Sequence, residues 1–111
     1  MENIFAGTGY TEPGRGTVQV INRKKYDTDS ADLLWSKQFD NYDTCRKEGV
    51  ALLQKKNGEY FKYECYWYSC ENNYYNSTNP VITPLTEDEA KKLTEKYRPE
   101  DYIEIFGDVE E

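Results

Sequence analysis

Histidine is absent from the 111 residues, which removes the commonest general base near neutral pH and the commonest transition-metal ligand. Histidine-dependent triad hydrolases and His-ligated metalloenzymes are excluded with it. Cysteine is scarce. Cys45, Cys65 and Cys70 are odd in number and none is spaced C-x-x-C, so the sequence indicates neither a closed disulfide framework nor a zinc site and fits a reducing compartment. Aliphatic bulk is low too: Leu, Ile, Val and Phe fill 20 positions, a share that, with high net charge, borders on that of disordered chains. No apolar run approaches the about 18 residues of a membrane span, and the N-terminus lacks the basic-then-apolar order of a signal peptide. The chain reads as soluble and cytoplasmic.

Aromatic residues reverse the disorder reading. Eleven Tyr and two Trp are large rings, each able to bury about 150–250 Å² while keeping a polar tip on water or a partner. The chain can fold as one domain, around a core that is aromatic and β-rich. Charge is equally uneven. Fourteen basic residues stand against 21 acidic ones, a net charge of −7, which disfavours direct binding of nucleic acid, whose phosphates are held by Lys and Arg. Residues 87–111 hold ten of the acids and only Lys91, Lys92, Lys96 and Arg98 as bases. The excess negative charge therefore lies almost wholly in the last quarter.

Residues 1–16 carry four Gly and one Pro without periodicity and read as a flexible N-terminal arm. Gly7-Thr8-Gly9 lacks the third glycine and the Lys-Ser/Thr pair of a phosphate loop. From Thr17 the pattern is strand-like, with a turn at Asn22-Arg23; Arg23 is a poor residue for a two-residue turn, so a longer or bulged one is expected. Asp27, Asp29 and Asp32 form a polar corner without the glycine and terminal Glu of a calcium loop. Residues 31–35 read as a third strand and 36–48 as a connection. The strongest signal follows: Val50 to Lys55 and Tyr60 to Tyr68 flank Asn57-Gly58 as a hairpin. A two-residue loop places Val50, Leu52 and Gln54 on the face of Phe61, Tyr63, Cys65 and Trp67; a three-residue loop with a bulge places Ala51 and Leu53 there instead. Either way Phe61, Tyr63, Cys65 and Trp67 alternate with polar or tyrosyl neighbours and are expected in the core, with Cys65 a buried small hydrophobe.

Residues 69–80 read as a polar loop. Asn76-Ser77-Thr78 matches a glycosylation acceptor pattern that has no consequence inside a cell. Tyr74 and Tyr75 are either a fold-back lid or partner contacts, since exposed tyrosine offers much area at low entropy cost. Helical grammar takes over from residue 81. Thr86-Glu87-Asp88-Glu89 is a capping box, and Ala90, Leu93 and Tyr97 form a narrow apolar stripe. Pro99 breaks this helix and restarts a second one anchored by Tyr102, Ile103, Ile105 and Phe106, with Gly107 as its end. The fold class expected is α+β: a flexible arm over 1–16, then one domain over 17–111 with an antiparallel sheet of about four strands in two hairpins and two short C-terminal helices.

The segments Val20-Ile21-Asn22-Arg23-Lys24-Lys25-Tyr26-Asp27-Thr28-Asp29-Ser30-Ala31, Lys55 to Phe61, Ile82 to Ala90 and Tyr102 to Gly107 resemble a family of small proteins from phages, prophages and plasmids of Firmicutes. Its members read NGKKYDTDTA, a Lys-Gly hairpin, PLTEEEA and a terminal Y…FG, in the same order across residues 17–108. As a class, small acidic proteins of such mobile elements are similar to anti-CRISPR and other anti-defence inhibitors. The resemblance, taken with the acidic last quarter and its neighbouring tyrosines, implies a non-enzymatic inhibitor, without cofactor or metal, that docks on a basic nucleic-acid channel of a host defence nuclease, RNA-guided or otherwise, or on another basic-surfaced protein. The candidate contact residues are Glu100, Asp101, Glu104, Asp108, Tyr74 and Tyr75. If one helix ran through them, Glu100, Glu104 and Asp108 would sit about 6 Å apart along one edge. Two other readings stand beside it: an accessory or regulatory protein of the element, monomeric or dimeric through the hairpin sheet, and an enzyme using the Asp27 and Asp29 carboxylates with Mg²⁺, which lacks a base, a nucleophile and a nucleotide loop.

Overall fold

A computed structural model describes residues 17–41, 46–70, 73–75 and 80–107, of which 40–41, 46, 67–70 and 73–75 are described by their backbone alone. The 1–16 arm, Asp108 and the 76–78 acceptor pattern lie outside the described residues. The chain order is β1 (Val18–Ile21), β2 (Lys24–Asp27), β3 (Asp32–Asn41), β4 (Arg46–Gln54), β5 (Tyr60–Cys70), β6 (Asn73–Tyr75), β7 (Val81–Leu85), α1 (Glu87–Tyr97), a 3₁₀ turn (Pro99–Asp101) and α2 (Tyr102–Phe106). The α+β order with its two terminal helices is as the sequence indicates, but the sheets are larger. β1 and β2 form a two-stranded sheet; β3, β4 and β5 form the body of a second, and β6 and β7 pair successive stretches of the other edge of β5.

Both hairpins owe their register to their turns. Asn22 (φ 52°) and Arg23 (φ 65°) both take positive φ, with Ile21 opposite Lys24. This is a tight two-residue turn of the primed type, which matches strand twist, and not the longer turn expected from Arg23. In the β4–β5 hairpin Gly58 takes φ 97°, its N–H donates to the Lys55 carbonyl at 2.9 Å, and Lys55 N–H donates to Glu59 O at 2.7 Å. That three-residue loop with a glycine bulge selects the second register: Ala51 lies opposite Tyr63 and Leu53 opposite Phe61. Opposed residues project to the same side of a sheet, so Ala51, Leu53, Phe61, Tyr63 and Cys65 share one face and Val50 and Leu52 the other. An extra residue at Leu34 shifts the β3–β4 register between Leu33 and Trp35.

The sheet buries both faces. On one, the β1–β2 hairpin lays Ile21 and Tyr26 over Ala51, Leu53, Phe61, Tyr63, Cys65 and Ile82, with Tyr26 edge-on to Phe61 at 5.4 Å. On the other, α1 and α2 cover Trp35, Val50 and Leu52 with Ala90, Leu93, Tyr97, Ile105 and Phe106. α1 starts as expected: Glu89 N–H donates to Thr86 Oγ1 at 3.1 Å and Thr86 N–H donates to Glu89 Oε1 at 3.0 Å. Its buried stripe also includes Thr94, whose hydroxyl accepts from Trp35 Nε1 at 2.9 Å and donates to the Ala90 carbonyl. Two small residues, Ala90 and Thr94, thus let the helix approach the sheet where the tryptophan lies. In α2, Ile105 and Phe106 pack inward while Ile103, expected as an anchor, is exposed.

Candidate partner-binding surface

The acidic C-terminal segment is organised by one residue that sequence reasoning counted only as a base. Arg98 follows α1, where the proline at 99 forbids the helix to continue, and its guanidinium returns to the sheet. Nη1 donates to the Ser36 carbonyl of β3 at 3.1 Å. Nη2 lies 2.9 Å from Asp101 Oδ2, and Nε lies 2.8 Å from Glu100 Oε1. The Nε–H is buried and points at no acceptor, so its contact with Glu100 is an ion pair without a directed hydrogen bond. One cation therefore gathers two carboxylates and ties them to the sheet. The Arg-Pro-Glu-Asp order, with an acid three residues after the arginine, is the sequence signal for this arrangement.

The expected ladder of Glu100, Glu104 and Asp108 along one helix is not realised. Pro99–Asp101 is a 3₁₀ turn, α2 begins at Tyr102 and stops at Phe106, and Gly107 closes it at φ 98°. The structure instead places Asp101 and Glu104 in the lining of a trough, while Glu100 is outside that lining and pairs with Arg98 Nε. This trough, about 670 Å³, runs between β3 and α2; Leu33, Leu34, Trp35 and Ile105 are its apolar lining. Glu104 is exposed and forms no ion pair among the described residues. Tyr74 and Tyr75 belong to β6, opposite Ser69 and Tyr68, so this segment is a strand and not the loop expected.

Two further acids of the last quarter have structural tasks. Glu89 closes the capping box, and the Thr86 backbone and hydroxyl hydrogen bonds hold its carboxyl below the usual carboxylate range. Asp88 pairs with Lys92 at 3.6 Å. Asp27, one of the pair considered for metal chemistry, accepts from the Asp29 N–H at 2.9 Å and lies 3.9 Å from Lys25 Nζ, which is turn chemistry. No group of three or more His, Cys, Asp or Glu among the described residues could hold a metal ion. Cys65 is buried, and that burial pushes its thiol up to about 12 against a weaker, opposing hydrogen bond with Tyr63. A thiol so disposed is no nucleophile.

A second concavity, about 340 Å³, opens on the same side of the sheet where the helices end. Phe39, Val50, Tyr66, Val81 and Tyr97 line it with Glu48 and Glu64. Phe39 stands edge-on to Tyr97 at 5.5 Å, and Lys37 Nζ lies 5.7 Å from the Phe39 ring centre. Alternation in β4 and β5 carried the signal for this face, but only the register could say which residues share it. No helix among the described residues is long and apolar enough to cross a membrane. Comparison with protein-family models, with curated proteins and with solved structures finds no match.

Proposed function

We propose that this chain is a small acidic, protein-binding inhibitor from a mobile genetic element, an anti-CRISPR or other anti-defence protein acting in the bacterial cytoplasm. It docks on the basic nucleic-acid-binding surface of a host nuclease and does no chemistry of its own. The observation that carries this reading is the Arg98 hub, which holds Glu100 and Asp101 within 2.9 Å of one guanidinium beside the unpaired Glu104. Carboxylates held in fixed positions raise the encounter rate with a cationic cleft and set the docking orientation.

The test is cleavage by RNA-guided nucleases with saturating protein. Inhibition is expected, and it should weaken as salt rises. The triple variant Glu100→Lys, Asp101→Lys, Glu104→Lys should lose it with an unchanged circular dichroism spectrum. Inhibition that survives the triple reversal would exclude the acidic edge as the contact. A second reading, an accessory protein that self-associates, draws on β1, whose Val18 and Val20 are 52% and 71% exposed. It predicts a dimer in sedimentation that Val20→Lys dissociates.

A further inference from the structure

We infer that the free edge of β1 is a self-complementary interface, through which two copies of the chain pair their β1 strands antiparallel about a twofold axis at Gln19; this rests on the reading of the chain as one that self-associates. The phase of the β1–β2 ladder carries it. Thr28 N–H donates to the Thr17 carbonyl at 3.0 Å, and Ile21 stands opposite Lys24 beside the two-residue turn. Backbone groups alternate in direction along an antiparallel ladder, so Thr17, Gln19 and Ile21 turn theirs to β2 while Val18 and Val20 turn theirs away. β1 pairs with no other strand among the described residues. The residues that offer outward N–H and C=O groups are thus the same two valines whose side chains are exposed.

The other edges carry devices that suppress edge-to-edge pairing. On β2 the outward residues are Lys25, a cation with its side chain 68% exposed, and Asp27, whose carbonyl accepts from Ala31 N–H at 3.2 Å. On β3 the Ser36 carbonyl is taken by Arg98, and the extra residue at Leu34 interrupts the ladder. β6 is three residues long, and β7 contains Pro84, which has no N–H to give. Residues 17–21 hold no charge, no proline and no bulge. A second copy fits this edge because the strand complements itself. With Gln19 opposite Gln19 of the second copy, each Val18 meets Val20 of the other chain, their outward backbone groups bond in pairs, and the valines stand side by side on one face. Within a copy Val20 is opposite Lys25 and Val18 opposite Asp27. Each row across the joined sheet therefore runs from Lys25 of one copy to Asp27 of the other, so no like charges meet, and the contact closes as a twofold dimer.

The experiment is sedimentation of the full chain over a wide concentration range. One short strand per copy makes a small interface, so a weak, concentration-dependent dimer is expected. Val20→Lys and Val18→Lys should each weaken it by about tenfold or more, with the dispersion of the amide spectrum retained because both positions are exposed. Ile103→Lys, at an exposed apolar residue of α2, should leave the dimer unchanged. In a mixture of ¹³C-labelled and unlabelled chains, isotope-filtered contacts are expected between the Val18 methyls of one copy and the Val20 methyls of the other. A dimer that survives both lysine variants, or filtered contacts that exclude these valines, would refute the β1 interface and leave self-association standing. A monomer up to the highest concentration reached would refute both.

Discussion

The two faces of the central sheet are closed by unlike lids. On the hairpin side, Phe61, Leu53 and Ala51 have no exposed surface and Tyr26 seals them at 3% exposure. On the helix side, Leu52 and Ala90 are equally buried, yet Tyr60, Leu85, Leu93, Tyr97, Ile105 and Phe106 remain only partly covered. A short α1 and a five-residue α2 cannot span strands of nine to eleven residues. Both concavities open on that incompletely covered side. Closure is thus complete under the hairpin and partial around the helices, where the surface proposed for recognition lies, a division that fits the low local stability common at binding sites.

Paired truncations put the division to its strongest test. Phe61→Ala should cost about 3–5 kcal/mol, the range for an aromatic lost from a closed core, and Tyr26 loses its ring partner with it. Phe106→Ala, which removes a half-buried ring stacked near Tyr60 and Tyr102, should cost about 1–2 kcal/mol. Urea unfolding of both variants measures this. Equal costs would mean that the helix layer carries as much stability as the hairpin layer.

Cys65 reports on the hairpin-side core from within. Its thiol sits at about 12 in the folded protein against 9.0 for a free thiol. Between those values the unfolded chain has released its proton and the folded chain has not, so stability falls as pH rises from about 9 toward about 12. The loss should be smaller in Cys65→Ala, which subtracts the effect of titrating tyrosines and lysines. Near pH 8 the native thiol should resist alkylation until global unfolding. Rapid native alkylation would show that the hairpin lid opens locally.

On the helix side the corresponding small effect is the α1 cap. Thr86→Ala should lower stability by about 1 kcal/mol and leave the hairpin layer untouched in hydrogen exchange. Glu89 has its carboxyl depressed by the Thr86 hydrogen bonds, so its contribution is present above its unfolded value of 4.5 and is lost as pH falls through the depressed one. The acid sensitivity of thermal unfolding should therefore flatten in Glu89→Gln. An unchanged acid limb would show that the capping box carries no linkage.

What the sequence disclosed tracks how local each signal is. The capping box, the Asn57-Gly58 hairpin and the break at Pro99 rest on neighbouring residues and appear where the pattern puts them. β7 escapes because Val81–Leu85 contains Pro84, a residue that argues against strand; its place outside β5, with no further strand pairing it among the described residues, is where proline is tolerated. The far half of β3 and the start of β4 are polar and read as a connection, though tertiary pairing makes them strand. At the candidate site the acids were visible as a charge run. Arg98 was not, because its partners combine two nearby acids with a carbonyl 62 residues away, and only the folded register brings Ser36 to it.

The finest comparison lies between the two hairpin turns. Gly58 sits at φ 97° and Arg23 at φ 65°, both in the left-handed region, but only one is glycine. No atom crowds a side chain added at Gly58, so Gly58→Ala tests the backbone penalty alone and should cost about 1 kcal/mol. Arg23→Gly removes the same penalty from the first turn while adding freedom to the unfolded chain, which leaves a net gain of about 0.5 kcal/mol. Thermal unfolding should move in opposite directions for the two variants. Arg23 has no ion pair among the described residues, so no lost contact offsets the gain. A loss of stability in Arg23→Gly would mean that the freedom glycine adds to the unfolded chain outweighs the relief of the positive-φ backbone at this turn.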